Sequence, residues 1–246
     1  MKTDVRRRPR PTILFFDEHL LAVDKPAGLL AGRGTGECAG VGDLLGTEGW
    51  FTDEPLLPVN KIDPHVSGVV VYARAPNDQK RLVDQVKTGA ATLDYFALVS
   101  GCVPSDSDID LPIHFNKRTG RTEVEPRRGR PACTELRVIE RVAGNTWVAC
   151  RPRTHFADQI RLHLAAIGFP LTVDPEHGGG SAVLLSSYKP NYKPSRRRLE
   201  RPLLNRVSLH LACARFQHPE HGASVAFEAE IPKDLNATLS QLRRLA

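Results

Sequence analysis

The chain has 246 residues, 41% of them hydrophobic, with 34 Lys or Arg against 28 Asp or Glu, for a net charge of +6 and a pI near 9.2. That suffices for one large domain with a sizeable core, and no run of about 18 apolar residues is present to span a bilayer. The amino terminus, Met1 to Arg10, lacks the apolar stretch of a signal peptide, so a cytoplasmic protein without membrane attachment is expected.

Residues 1–12 read as a basic tail, with Arg6, Arg7, Arg8 and Arg10 beside Pro9 and Pro11, and residues 13–246 as one domain. Ile13 to Val23 reads as two short strands around the turn-like Asp17-Glu18-His19, followed by Lys25-Pro26-Ala27-Gly28. Gly28 to Gly46 is glycine-rich but lacks a phosphate loop's G-K-[ST] ending, and is expected to be a flexible connection. Asp63 stands in a bend set by Pro64 and Ser67-Gly68, ahead of an apolar strand over Val69 to Ala73. Pro76 starts a helix with Leu82, Val83 and Val86 on one face, ending near Gly89. In the strand over Leu93 to Val99, Leu93, Tyr95, Ala97 and Val99 share a face, which turns Tyr95 inward.

Further on, Arg153-Thr154-His155-Phe156-Ala157-Asp158-Gln159-Ile160-Arg161-Leu162-His163-Leu164 reads as a loop entering a helix. Ile160, Leu164 and Ile167 form an apolar stripe with Arg161 at its edge, where a guanidinium can turn in and keep a buried carboxylate charged and oriented.

The basic excess is clustered: the tail, then Lys117, Arg118, Arg121, Arg127, Arg128 and Arg130 in a hairpin-like stretch, then Lys189, Lys193, Arg196, Arg197, Arg198, Arg201 and Arg206 with Tyr188 and Tyr192 interleaved. One such run is ordinarily a solvated face, but three of one sign point to a polyanion. Cys38, Cys102, Cys133, Cys150 and Cys213 contain no C-x-x-C pair, so reduced, mostly buried thiols are expected. His155 and His163 stand eight residues apart with no H-E-x-x-H pattern, and no G-x-S-x-G elbow occurs, which argues against a metal site and a serine hydrolase.

In order, these segments resemble the RluA-type RNA pseudouridine synthases. The opening resembles that family's E-D-x-x-L-x-V-x-K-P-x-G pattern. Asn60-Lys61-Ile62-Asp63-Pro64-His65-Val66-Ser67-Gly68 resembles its H-R-L-D-x-x-T-S-G, keeping the aspartate and Ser-Gly while carrying Asn60, Lys61 and Val66 for His, Arg and Thr. The third cluster resembles R-T-H-Q-[IL]-R-[VL]-H-[LM] with Phe156-Ala157-Asp158 added, and is followed by Gly168-Phe169-Pro170 and Asp174-Pro175. An L-H-A strand at Leu209, the His218-Pro219 pair and a P-x-D ending at Pro232 complete a likeness over roughly residues 13–235.

The resemblance implies an α+β fold with a mixed, mostly antiparallel central sheet flanked by helices around a central cleft. It implies an isomerase that converts uridine in structured rRNA or tRNA to pseudouridine, as a cytoplasmic monomer, with neither cofactor nor metal. Asp63 would be the catalytic carboxylate, Tyr95 would stack on or deprotonate near the base, Arg161 would hold Asp63, and Leu164 would pack against the site. Lys61, Arg153, His155, Arg196, Arg197 and Arg198 complete the expected substrate-binding set. Lys61 keeps the charge but not the planar surface of the family's arginine, which helps fill the space of the flipped base. With about a dozen residues ahead of the domain, a separate amino-terminal RNA-binding module is not expected. The alternative is an inactive relative acting as an RNA-binding or assembly factor; a DNA-binding reading lacks any helix-turn-helix or zinc-finger pattern.

Overall fold

The computed structural model describes residues 10–35, 38–47, 56–193 and 199–246; Arg6, Arg7, Arg8, Arg196, Arg197 and Arg198 lie outside the described residues. Strand β1 (Thr12–Phe16) turns into β2 (Leu20–Lys25) because the Asp17 carboxylate accepts the N–H groups of His19 and Leu20, both at 2.8 Å. Then follow α1 (Val41–Thr47), the short β3 (Leu57–Pro58), β4 (Ser67–Ala73) and α2 (Pro76–Thr88). Helix α2 begins on Pro76 and stops where Gly89 turns left-handed at φ 77°. Strand β5 (Thr92–Ser100) and β6 (Ser107–Asp110) precede a hairpin of β7 (Ile113–Asn116) and β8 (Arg121–Val124). Strands β9 (Cys133–Val142) and β10 (Asn145–Pro152), helix α3 (Gln159–Ala166), β11 (Leu209–Gln217), β12 (Ser224–Glu228) and α4 (Lys233–Arg243) complete the chain.

One ten-stranded sheet runs in the order β1-β2-β4-β11-β5-β10-β9-β6, with β12 added to β11 and β3 to β4. The β4–β11 contact is parallel and the other pairings in the sheet are antiparallel, so the expected α+β class and mixed sheet are present. Side chains that alternate along β5 divide between two cores. Leu93, Tyr95, Ala97 and Val99 join the larger core, which includes Leu82 and Val86 of α2 and Ile160 and Leu164 of α3. Phe96 and Leu98 join a smaller core with Trp147 and with Leu235, Leu239 and Leu242 of α4. The sheet therefore has α2 and α3 on one face and α4 on the other.

The parallel junction fixes where the Asp63 loop enters the sheet. At Gly68 (φ 122°) an added Cβ would lie 2.1 Å from the Leu211 carbonyl oxygen, so glycine alone lets β4 approach β11 this closely. Beside it, buried Ser67 donates to His210 Nδ1 at 2.9 Å, while Nε2 donates to the Ala229 carbonyl at 3.2 Å. Burial pushes the His210 pKa down to about 4, so the neutral ring that this pairing requires is the form present at pH 7.

Two expectations are corrected. The glycine-rich stretch is more than a flexible connection: it contains α1, whose Val41 and Leu45 are buried, and the Asp43 carboxylate accepts the N–H groups of Gly34 and Gly40 at 2.7 and 3.0 Å. Of the five cysteines, all free, Cys150 and Cys213 are buried, whereas Cys38 and Cys102 are exposed and Cys133 is half-buried, because they fall on loops or at strand ends. Gly68→Ala should lower unfolding stability by more than about 2 kcal/mol, since backbone must shift and φ is unfavourable for a Cβ; chemical denaturation measures it.

Candidate active site

Asp63 sits in a tight turn immediately before β4. Its carbonyl accepts the Val66 N–H at 3.1 Å, and its Oδ1 accepts the His65 N–H at 2.7 Å, which fixes the carboxylate over the turn. Asn60, standing where the family pattern has His, ties the loop to β4: its Nδ2 donates to the Val69 carbonyl at 2.9 Å and its Oδ1 accepts the Val71 N–H at 2.8 Å. Val66 is buried, so an apolar side chain suits that position.

Beneath the turn lies Lys25, fully buried at the end of β2. Its ammonium donates to the carbonyls of Val66 (2.7 Å), Leu29 (2.8 Å), Pro64 (3.2 Å) and Pro26 (3.3 Å), tying the Asp63 turn to the loop after β2. Burial pushes its pKa down to about 7, against the nearby charge of Asp63, which favours the ammonium.

Arg161, only 2% exposed, reaches in from α3 and commits all five of its N–H groups to four carboxylates. Nε and Nη2 form a two-pronged pair with Asp174 at 2.7 Å each, and Nη2 also meets Glu176 at 2.8 Å. Nη1 is divided between Asp158 at 2.9 Å and Asp63 at 3.2 Å. Burial works against the guanidinium charge, but the Asp174 contacts outweigh it and raise the Arg161 pKa. Burial would likewise raise the Asp174 pKa, and the hydrogen bond and charge of Arg161 hold it below the ordinary carboxylate range. Thr154 and Gln159 anchor the start of α3: Thr154 accepts the Cys133 N–H and donates to Gln159 Oε1, whose amide group donates to Cys133 O and Thr134 Oγ1.

Asp63, Tyr95, Lys61, His155 and Arg161 line one cleft of about 780 Å³ between α2, α3 and β5, a volume in the range of ligand sites. Burial pushes the Tyr95 phenol up, which favours a neutral ring and argues against its acting as a phenolate base. Two expected site residues stand elsewhere or act differently. Arg153 is paired with Glu135 at 2.6 Å and Asp108 at 3.4 Å and is absent from the cleft lining. Leu164 is fully buried in the larger core, where it supports α3 and cannot touch a substrate. Arg206, counted with the basic runs, forms a two-pronged pair with Asp234 at 2.7 and 2.9 Å. Lys25, Asp158, Asp174 and Glu176 were not assigned from the sequence, although Lys25 and Asp174 fall in the matched K-P-x-G and D-P patterns.

Asp174, Glu176 and His177 bring one potential metal ligand atom each within 4.8 Å of one another. Both Asp174 oxygens and one of Glu176 are bound to Arg161, whose positive charge opposes a second cation there. A second hollow, lined by Asp94, Phe96, Glu135 and Arg151 among others, lies on the opposite face of β5, where Asp94 pairs with Arg151 and Arg215.

The molecule is thus an α+β protein whose mixed sheet carries a cleft lined by Asp63, Asp158 and Arg161. A family model described as RNA pseudouridylate synthase matches residues 19–166, and the chain belongs to that family. It is 33% identical over 238 residues to a ribosomal large subunit pseudouridine synthase D of Nitrosomonas europaea, covering 95% of this chain and 65% of that protein. It is 32% identical to the protein of that name in Xanthomonas campestris, covering 94% and 69%. An uncharacterized RNA pseudouridine synthase, YlyB, of Bacillus subtilis is 30% identical, covering 98% and 76%. The chain therefore spans about two thirds to three quarters of these relatives. Among solved structures, human RNA pseudouridylate synthase domain containing 4 shares the fold at a TM-score of 0.71 and 20% identity, over 94% of this chain and 93% of that one.

Two outcomes test this geometry. Asp174→Asn should cost about 3–5 kcal/mol by leaving a buried guanidinium without its main counter-charge. Because the folded Asp174 pKa is depressed, its stabilisation is present above the ordinary carboxylate range and lost as pH falls through the folded value; the variant should lose that part of the acid dependence in unfolding measurements. Lys25→Met removes the donor shared by the Leu29 and Val66 carbonyls, and should lower stability by on the order of 2 kcal/mol or more, read by thermal unfolding.

Proposed function

We propose that this protein is an RNA pseudouridine synthase, that residues 13–246 form its catalytic domain, and that Asp63 is the catalytic carboxylate. The observation that carries the reading is the Arg161–Asp63 contact at 3.2 Å, in the floor of a cleft that Tyr95 also lines. The reaction breaks the N1–C1′ bond of uridine, turns the uracil, joins C5 to C1′ and moves the C5 proton to nitrogen, with no net redox change. Asp63 has an open role in two routes: attack on the nucleotide as a nucleophile, or removal of a sugar proton. In either route the turn, the His65 N–H and Arg161 hold the carboxylate in one orientation, so little reorganisation accompanies the step. Tyr95, kept neutral by its burial, stacks on the uracil.

The names of the relatives support ribosomal RNA as the substrate. Lys117, Arg118, Arg121, Arg127, Arg128 and Arg130 are all exposed on and beside the β7–β8 hairpin, where they are placed to meet phosphates. With six phosphate contacts, affinity should fall by about 10³-fold between 50 and 200 mM salt. The reading places the protein on RNA in the cytoplasm, as a monomer; among the described residues no helix is long and apolar enough to cross a membrane.

Asp63→Asn should abolish pseudouridine formation while leaving RNA affinity within about twofold, because the amide keeps the shape but loses the charge. Mass spectrometry of carbodiimide-labelled RNA from deletion cells complemented with either form checks this. Product restored equally by both forms would remove Asp63 from the chemistry and favour the non-catalytic RNA-binding reading.

A further inference from the structure

The three residues that lengthen the segment before α3, Phe156-Ala157-Asp158, make a rigid turn. The Phe156 N–H donates to Gln159 Oε1 at 3.2 Å, its carbonyl accepts the Gln159 N–H at 3.3 Å, and Asp158 adopts a left-handed conformation at φ 57° with its carboxylate on Arg161. The Phe156 ring is consequently held at a set position relative to Arg161. It lines the same cleft as Asp63 and Tyr95 and stays half-exposed between exposed His155 and Ala157, at the cleft mouth. It belongs to neither apolar core.

One neighbour of that ring is specific. The Arg130 guanidinium carbon lies 5.4 Å from the ring centroid, within cation–π range. Arg130 is itself clamped, since its N–H and carbonyl exchange hydrogen bonds with Ile113 of β7 at 2.8 and 2.9 Å. The ring thus lies outside the cores with a cation against it whose backbone is anchored to β7, an arrangement suited to receive another flat ring. Lys61, in the same cleft, is charged but offers no planar surface.

We propose that Phe156, backed by Arg130, is a stacking platform for a nucleobase of the RNA strand next to the target uridine. This rests on the proposed RNA substrate. The target uracil goes to Tyr95 and Asp63 deeper in the cleft, and the adjoining base lies on the Phe156 ring at the mouth. Stacking of this kind tolerates any base, because each has a π-face. The platform therefore holds the strand open beside the extruded nucleotide and offsets part of the unstacking cost.

Phe156→Ala should lower kcat/KM by about 5- to 150-fold, the range spanned by one base–aromatic stack, with the loss mainly in KM. Phe156→Tyr and Phe156→Trp should recover most of it, whereas Phe156→Leu, apolar but not aromatic, should not. The direct readout is Trp emission from Phe156→Trp in the Asp63→Asn background, titrated with a short uridine-containing single-stranded RNA whose binding is followed separately by filter retention. Quenching that tracks binding supports the platform. Binding without quenching overturns it, as does a Phe156→Leu enzyme equal to the wild type. Quenching in a protein whose wild type forms no pseudouridine leaves the platform standing and removes the catalytic reading; no binding of RNA by any form removes both.

Discussion

The buried guanidinium of Arg161 is the interaction on which the cleft depends. A cation in the interior is stable only if its donors are all engaged, and here five N–H groups meet four carboxylates drawn from three separate segments: the loop before β4, the approach to α3, and the loop after it. The two-pronged Asp174 contact fixes the plane of the guanidinium. With that plane fixed, Nη1 faces Asp63 at 3.2 Å.

The fold holds the other side of the same contact. Gly68 lets β4 lie against β11, Ser67 and neutral His210 lock the junction, and Asn60 ties the incoming loop to β4 by both ends of its amide. Lys25 supports the turn from below by bonding the Pro64 and Val66 carbonyls within it. Asp63 is thereby left on the cleft side with few ways to move, and the geometry is set before any substrate arrives. Three of the residues at which the chain departs from its family pattern fit this scheme: Asn60 satisfies strand groups and Val66 is buried, while Asp158 shares Nη1 of Arg161.

Much of the element order was legible in the sequence because local rules agree there. Pro76 and Gly89 mark the ends of α2, and alternation from Leu93 to Val99 marks a strand with Tyr95 on the larger core's face. The pairing of Asp63 with Arg161 was readable through the resemblance and the stripe on α3. The ion pairs of Arg153 were not readable because a positive charge in a motif says nothing about its neighbours, and Glu135 and Asp108 stand on the other strands β9 and β6. Asp43 organises the glycine-rich stretch through contacts that no periodicity displays.

By itself the sequence determined the turn that carries Asp63, the inward face of Tyr95 and the clustering of basic charge, since each follows from composition, backbone preference or side-chain period within a few residues, whereas the α+β class was legible only through the family resemblance. Only the tertiary structure decided which carboxylates surround Arg161, that Lys25 braces the Asp63 turn, and that Arg130 backs Phe156. Apart from the nearer pairs of Arg161 with Asp158, Asp174 and Glu176, those contacts join positions 26 to 98 residues apart, and the energy of all of them depends on burial and on the direction of each donor, neither of which a local pattern encodes.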